Sequence, residues 1–134
     1  MTNTFLLTIL TPFGRYFSGQ VEFLEVRNDK YSLGILPHHA DLISTVSICK
    51  MKIREGGMDN FYACGGGIIQ IENGNVTLIL NSVESKNEID VERAKSAKQR
   101  AQDRLDNKNE QIDIARAKAA LARAINRINL IEDN

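Results

Sequence analysis

The sequence predicts an α+β protein: an N-terminal antiparallel β-sandwich over residues 1–84, then a C-terminal antiparallel two-helix hairpin over residues 85–134. Three observations predict it. Apolar residues alternate with period two up to about Val83, then recur at steps of three and four from about Ile89. All nine glycines and both prolines lie before residue 75, so the second segment carries no helix breaker. A seventeen-residue phrase, IDVERAKSAKQRAQDRL at 89–105, returns as IDIARAKAALARAINRI at 112–128 with nine identities.

The strands come first. TFLLTILT (4–11) and VEFLEVRND (21–29) alternate, and STVSICKMKI (44–53) continues with Val46, Ile48 and Met51 among polar partners. NVTLILNS (75–82) sets Val76, Leu78 and Leu80 on one face. Between these runs stand the turn signals TPFG, RNDK, LPHHAD, EGGMDN and ENGN. Strands at roughly ten-residue spacing with no helical pattern between them fit a sandwich or a barrel. The opening MTNTFLLTILTPFG alternates and lacks a basic leader and a cleavage site, so it reads as a first strand.

The helices follow. The first is expected from Asp90, whose carboxylate caps the free N–H groups of the first turn, to about Asp106. Its stripe is thin: Val91, Ala94, Ala97, Ala101 and Leu105. NKN (107–109) reads as a tight turn. The second helix runs to about Ile131, with Ile114, Ala117, Leu121, Ala124, Ile125, Ile128 and Ile131 as its stripe. Alanine faces let two helices approach closely but bury little area, at roughly 25 cal/mol per Å². Such a hairpin needs a docking surface or a ligand.

Composition narrows the function. Hydrophobic residues make up 43% and charged residues 25% of the 134, as in ordinary globular chains. Seventeen basic residues balance seventeen acidic ones, so no bulk field draws the chain to nucleic acid or membrane. Aromatics reach 6% with no tryptophan, which argues against a base-stacking surface. No apolar run approaches the roughly twenty residues of a membrane span. Cys49 and Cys64 are far apart in sequence and outside any CxxC, so buried reduced thiols in a cytosolic protein are expected.

The charge is segregated, however. Arg93 through Arg127 holds ten basic and four acidic residues. Within each copy of the phrase the arginines fall at i, i+7 and i+11: Arg93, Arg100, Arg104, then Arg116, Arg123, Arg127. At 3.6 residues per turn each triplet lies within roughly 40° of arc, a straight basic rail. Antiparallel pairing brings Arg93 level with Arg123 and Arg127, with Asp90 and Glu84 at the same end. Guanidinium forks there suit phosphate oxygens. Three readings stand open: a phosphate-bearing ligand, two solvated helix faces, or an acidic protein surface met when the hairpin opens.

The remaining motifs carry no chemistry. CGGG (64–67) lacks the lysine and hydroxyl of a phosphate loop and lies between strands, which points to a bulge or tight turn. His38 and His39 have no cysteine or carboxylate at ligand spacing, and no nucleophile–base arrangement stands out. No catalytic role, metal site or catalytic cofactor is expected.

A sandwich followed by a basic, alanine-rich hairpin resembles the ε subunit of bacterial F-type ATP synthase, over essentially the whole chain. GILPHHADLIS (34–44) is similar to a family turn that carries glycine at His38 and proline at Asp41. CGGGIIQIENGNVTLIL (64–80) resembles a family strand pair, and IDVERA (89–94) matches the I/L-D-x-x-R-A motif of ATP-binding ε subunits. The resemblance implies the sandwich as fold. It implies a non-catalytic rotor subunit that clamps the γ subunit and rests on the c-ring at the cytoplasmic face of the bacterial plasma membrane, peripheral through the complex alone. The hairpin would be a two-state inhibitor of ATP hydrolysis: folded with ATP bound, or extended toward the acidic β segments of the α/β hexamer. Ile89, Asp90, Arg93 and Ala94 would carry the ATP motif, completed by Glu84, Arg100, Arg123 and Arg127; magnesium is left open. The alternative is a stand-alone ATP-sensing adaptor. A small nucleotide-acting enzyme lacks a base and metal ligands, and a nucleic-acid-binding hairpin lacks a basic sandwich and stacking aromatics.

Overall fold

The computed structural model describes residues 3–107 and 113–132. Eight strands come first: β1 (Phe5–Thr11), β2 (Gly14–Val21), β3 (Phe23–Arg27), β4 (Ser32–Ile35), β5 (Leu42–Glu55), β6 (Met58–Glu72), β7 (Asn75–Leu80) and β8 (Val83–Ser85). A 3₁₀ turn at Lys86–Glu88 leads to α1 (Val91–Asp106) and α2 (Ile114–Glu132). The strand order is β2-β1-β7-β6-β5-β3-β4, with β8 on β6. Every pair is antiparallel except β1 with β7, which is parallel. The alternation could not reveal this, because it reports which face a residue takes and not the direction of the neighbour.

Two long strands make the sandwich. The N-terminal part of β5 and C-terminal part of β6 pair beside β7, whereas the rest of β5 carries β3 and the rest of β6 carries β8. The hairpin thus runs through both layers, and Leu7, Ile9, Leu24, Ile35, Met51, Ile53, Ile69 and Leu78 fill the space between.

The crossing point explains the CGGG run. It is a bend inside β6, not a turn between strands. A Cβ on Gly67 would stand 1.9 Å from the Ile79 carbonyl oxygen, and one on Gly65 would stand 2.0 Å from Ser82 Oγ. Gly66 takes φ +85°, which glycine adopts without a Cβ clash. Opposite the bend β5 slips phase: Val46 is buried, then Cys49, Met51 and Ile53, with Ile48 half-buried. The expected alternation through Ile48 breaks there because the strand changes layers.

One residue of the turn at 36–41 is left-handed. His38 sits at φ +67°, a conformation that glycine adopts more readily than a residue with a Cβ. Asp41 Oδ1 accepts the Asn73 N–H at 3.0 Å, tying this turn to the one between β6 and β7.

The helices meet along alanines: Ala94 and Ala101 of α1, Ala117 and Ala124 of α2 are all buried. Ile114, placed on the expected stripe, is exposed, and Leu130 is buried where Ile131 was expected. The reason is that α2 has two contacts. Leu130 lies about 140° around the helix from Ala117, so one face meets α1 and another meets β5 and β6. Of the expected NKN turn, Lys108 and Asn109 lie outside the described residues.

Candidate functional site

At the junction of sandwich and hairpin two of the expected site residues, Glu84 and Arg127, meet directly. The floor of the junction is β8, which pairs with β6 through Tyr62–Ser85, Ala63–Glu84 and Cys64–Val83. From that strand the Glu84 carboxylate reaches α2 and accepts from Arg127 Nε at 2.5 Å. The neighbouring residue, Asn126, donates its amide to the backbone carbonyls of Cys49 at 2.8 Å and Cys64 at 3.4 Å. Those cysteines are fifteen residues apart in sequence yet directly opposed across β5 and β6. Both are free and buried, and the hydrogen bond with Cys49, then burial, push the Cys64 thiol up. Asn126 therefore clips α2 across two strands.

α1 starts at Val91, seven residues beyond Glu84. Asp90 is the N-cap, its carboxylate accepting the Arg93 N–H at 3.1 Å, and Ala94 N–H closes the first helical bond on the Asp90 carbonyl at 3.0 Å. The second copy of the phrase does the same: Asp113 accepts the Arg116 N–H at 3.1 Å. The repeated Asp-x-x-Arg-Ala is thus first a helix start written twice. Its cap aspartate and its seam alanines (Ala94, Ala117) recur because each helix needs both.

The expected site residues divide accordingly. Glu84 and Arg127 are joined, and Ile89, Asp90, Arg93 and Ala94 form one run at the root of α1, with Ala94 buried in the seam and the Arg93 side chain exposed. Arg123 is half-buried one turn before Arg127. Arg100 is exposed two turns along α1, about 10 Å from Arg93 along the axis at 1.5 Å per residue. Among the described residues the guanidiniums of Arg93, Arg100 and Arg123 carry no carboxylate partner, while that of Arg127 is countered by Glu84. Among the described residues no cluster of histidine, cysteine and carboxylate could hold a metal ion, and no helix is long and apolar enough to cross a membrane.

Three residues of the junction escaped the sequence reading. Asn126 has no signal, being one amide on a polar flank. Glu88 does, since Ser85-x-x-Glu88 is a capping-box spacing. Its carboxylate accepts the Ser85 N–H at 2.9 Å and the hydroxyl of Tyr16 from β2. These bonds, the Tyr16 one first, hold the Glu88 carboxyl below the usual carboxylate range, while burial and then Glu88 itself push the Tyr16 phenol up.

Comparison with known proteins bears on this arrangement. The family model described as ATP synthase, Delta/Epsilon chain, beta-sandwich domain matches residues 4–86, and the long alpha-helix domain of the same chain matches residues 87–132. The ATP synthase epsilon chain of Desulforamulus reducens is 39% identical over 132 residues, 98% of this chain and 100% of that one. The ATP synthase epsilon chain of Bacillus thuringiensis is 41% identical over 128 residues, 96% of each chain. Two solved structures share the fold. A chain of the Euglena gracilis mitochondrial ATP synthase OSCP/F1/c-ring assembly has a TM-score of 0.78 at 19% identity, covering 98% of this chain and 81% of its own. A chain of the Tetrahymena thermophila mitochondrial ATP synthase central stalk and c-ring has a TM-score of 0.56 at 15% identity, covering 96% and 93%. With both halves matched in order and relatives aligned end to end, the chain belongs to the delta/epsilon family of ATP synthase subunits, the family of the bacterial epsilon chains.

Proposed function

We propose that this chain is a non-catalytic central-stalk subunit whose sandwich joins the rotor and whose hairpin is a two-state, ATP-responsive brake on ATP hydrolysis. In the folded state ATP lies at the junction. Arg93, Arg100 and Arg123 take its phosphates, Ile89, Asp90 and Ala94 shape the wall at the root of α1, and the Glu84–Arg127 pair closes the floor. In the extended state the same arginines face acidic segments of the catalytic β subunits. The complex, through its c-ring, holds the chain at the cytoplasmic face of the plasma membrane.

One observation carries the two-state reading: the seam that holds α1 against α2 is thin. Four buried alanines make the seam between α1 and α2. At ~0.8 kcal/mol per buried methyl they contribute about 3 kcal/mol, and Ile128, buried on the same face of α2, adds roughly 1.5–3 kcal/mol. A ligand at a hundred times its dissociation constant stabilises the state it binds by about 2.7 kcal/mol. The ligand contribution is about half that of the seam, so ATP shifts the balance between the two states.

A second feature supports the rotor role. Leu10, Ile79 and Ile68 are register neighbours across β1, β7 and β6, with Ile43 on β5 two residues along from Thr45, the register partner of Ile68. Ile43, Ile68 and Ile79 are 73%, 46% and 48% exposed. An apolar row of this kind on an outer sheet face fits a protein partner, and the γ subunit is the one proposed.

The test is calorimetric titration of the full chain with ATP, beside Arg93→Ala and Arg123→Ala. Saturable one-to-one binding, weakened at least tenfold in each variant, is expected. Wild-type protein that takes up no ATP at millimolar concentration would remove the nucleotide from the proposal.

A further inference from the structure

The segment between sandwich and hairpin is tied down. Ser85 ends β8, and Lys86–Glu88 make one 3₁₀ turn. The same Glu88 oxygen accepts from the Ser85 N–H and from the Tyr16 hydroxyl. Tyr16 is itself held: it packs against the buried core, and its ring meets Tyr62 edge-on, centroids 6.3 Å apart and planes at 88°. Tyr62 is in turn the register partner of Ser85. One carboxylate therefore joins β2, β8 and the turn into a single knot. Beyond it Ile89 (φ −77°, ψ 124°) and Asp90 (φ −87°, ψ 102°) are extended, and α1 begins at the next residue. Any swing of the hairpin that leaves the knot intact has to turn at Ile89 and Asp90.

We propose that Tyr16 and Glu88 are positioning residues for the junction: their hydrogen bond fixes the pivot of the hairpin at Ile89–Asp90 and so presents the first turn of α1 to the sandwich in one orientation. That this turn receives a nucleotide rests on the function proposed above; the pivot itself needs no ligand. The two partners are unequal in a way that suits a pivot. Tyr16 is half-buried and anchored by its ring, whereas Glu88 is exposed and belongs to the segment that has to be held. Without the bond, the turn at 86–88 joins the moving part. The pivot then shifts back toward Ser85, and the cap at Asp90 is no longer set against the sheet.

Amide hydrogen exchange on the full chain tests this, using Tyr16→Phe, Glu88→Ala and Glu88→Gln. The readout is the N–H groups of Arg93 and Ala94, both bonded to Asp90. Their protection should fall about tenfold in Tyr16→Phe and Glu88→Ala, as loss of a charge-assisted hydrogen bond predicts, while β6 and β7 stay protected. Glu88→Gln, whose amide oxygen accepts the same bond, should stay near wild type. Unchanged protection in the first two variants, or a loss spread through the sandwich, would overturn the proposal. ATP titration separates the two claims. Weaker binding by Tyr16→Phe with wild-type binding by Glu88→Gln supports positioning of the site, and equal binding by all variants overturns it. A wild type that binds no ATP overturns the nucleotide role, and the pivot is then decided by exchange alone.

Discussion

Replacing Asn126 by alanine should loosen α2 from the sheet without harming the sandwich. The side chain makes one good bond, 2.8 Å to the Cys49 carbonyl, and a long one, 3.4 Å to that of Cys64. A neutral hydrogen bond of this kind contributes ~1 kcal/mol net. Alanine also favours the helix over asparagine by about half a kcal/mol, so loss of protection in α2 cannot be a propensity effect. Arg127→Ala removes the 2.5 Å pair with Glu84, whose side chains are 25% and 30% exposed. Solvent still screens such a pair, so ~1 kcal/mol is an upper figure. Together the two variants should shift the docked-to-undocked ratio by about 2 kcal/mol, roughly thirtyfold. That is most of what the alanine seam contributes. Hydrogen exchange along α2 reads the docking, and thermal unfolding reads the sandwich. If exchange in α2 stays within twofold of wild type in the double variant, the two clips are not what holds the hairpin. If the unfolding midpoint drops instead, Asn126 serves the β5–β6 backbone rather than the helix.

Three further outcomes follow from the same geometry. Gly67→Ala should cost the sandwich at least ~2 kcal/mol, because the new Cβ would stand 1.9 Å from the Ile79 oxygen and the backbone would have to move; a denaturant midpoint within error of wild type would contradict this. Asp90→Ala and Asp113→Ala should each cost ~1 kcal/mol of helix stability and together lower the helical circular dichroism signal, whereas Asp→Asn at either site should be nearly silent. Glu88 has a depressed folded pKa, so its contribution to the junction is fully present above the ordinary carboxylate value of about 4.3 and is lost as pH falls through the lower folded value. A carboxyl titration followed by NMR should show that low midpoint, returned toward the ordinary value in Tyr16→Phe, and a midpoint unmoved by that substitution would exclude Tyr16 as its cause.

Much of this architecture was legible in order along the chain. Period two and period 3.6 report burial on one face of a strand or helix, and both are local, so Val76, Leu78 and Leu80 or Ala94 and Ala101 announce themselves. Caps are local too, which is why Asp90 was readable as a helix start. The I-D-x-x-R-A run was readable as a resemblance, and the chain's place in its family follows from matches to both halves.

What tertiary structure decided is what depends on residues distant in sequence. The parallel pairing of β1 with β7, the opposition of Cys49 and Cys64, and the crossing of β5 and β6 between layers all arise where strands meet, and no periodicity encodes the direction of a neighbour. The second buried face of α2, with Asn126 and Leu130, looks like an ordinary polar flank until a sheet lies under it. The knot of Tyr16 and Glu88 joins groups seventy-two residues apart. Sequence alone carried β1, β3, β5, β7 and the two helices, with the charge they bear, but not β2, β4 or β8. The contacts that hold the hairpin down exist only once the two halves are packed, because each polar one requires a donor from one half and an acceptor from the other, and Leu130 requires a sheet to cover it.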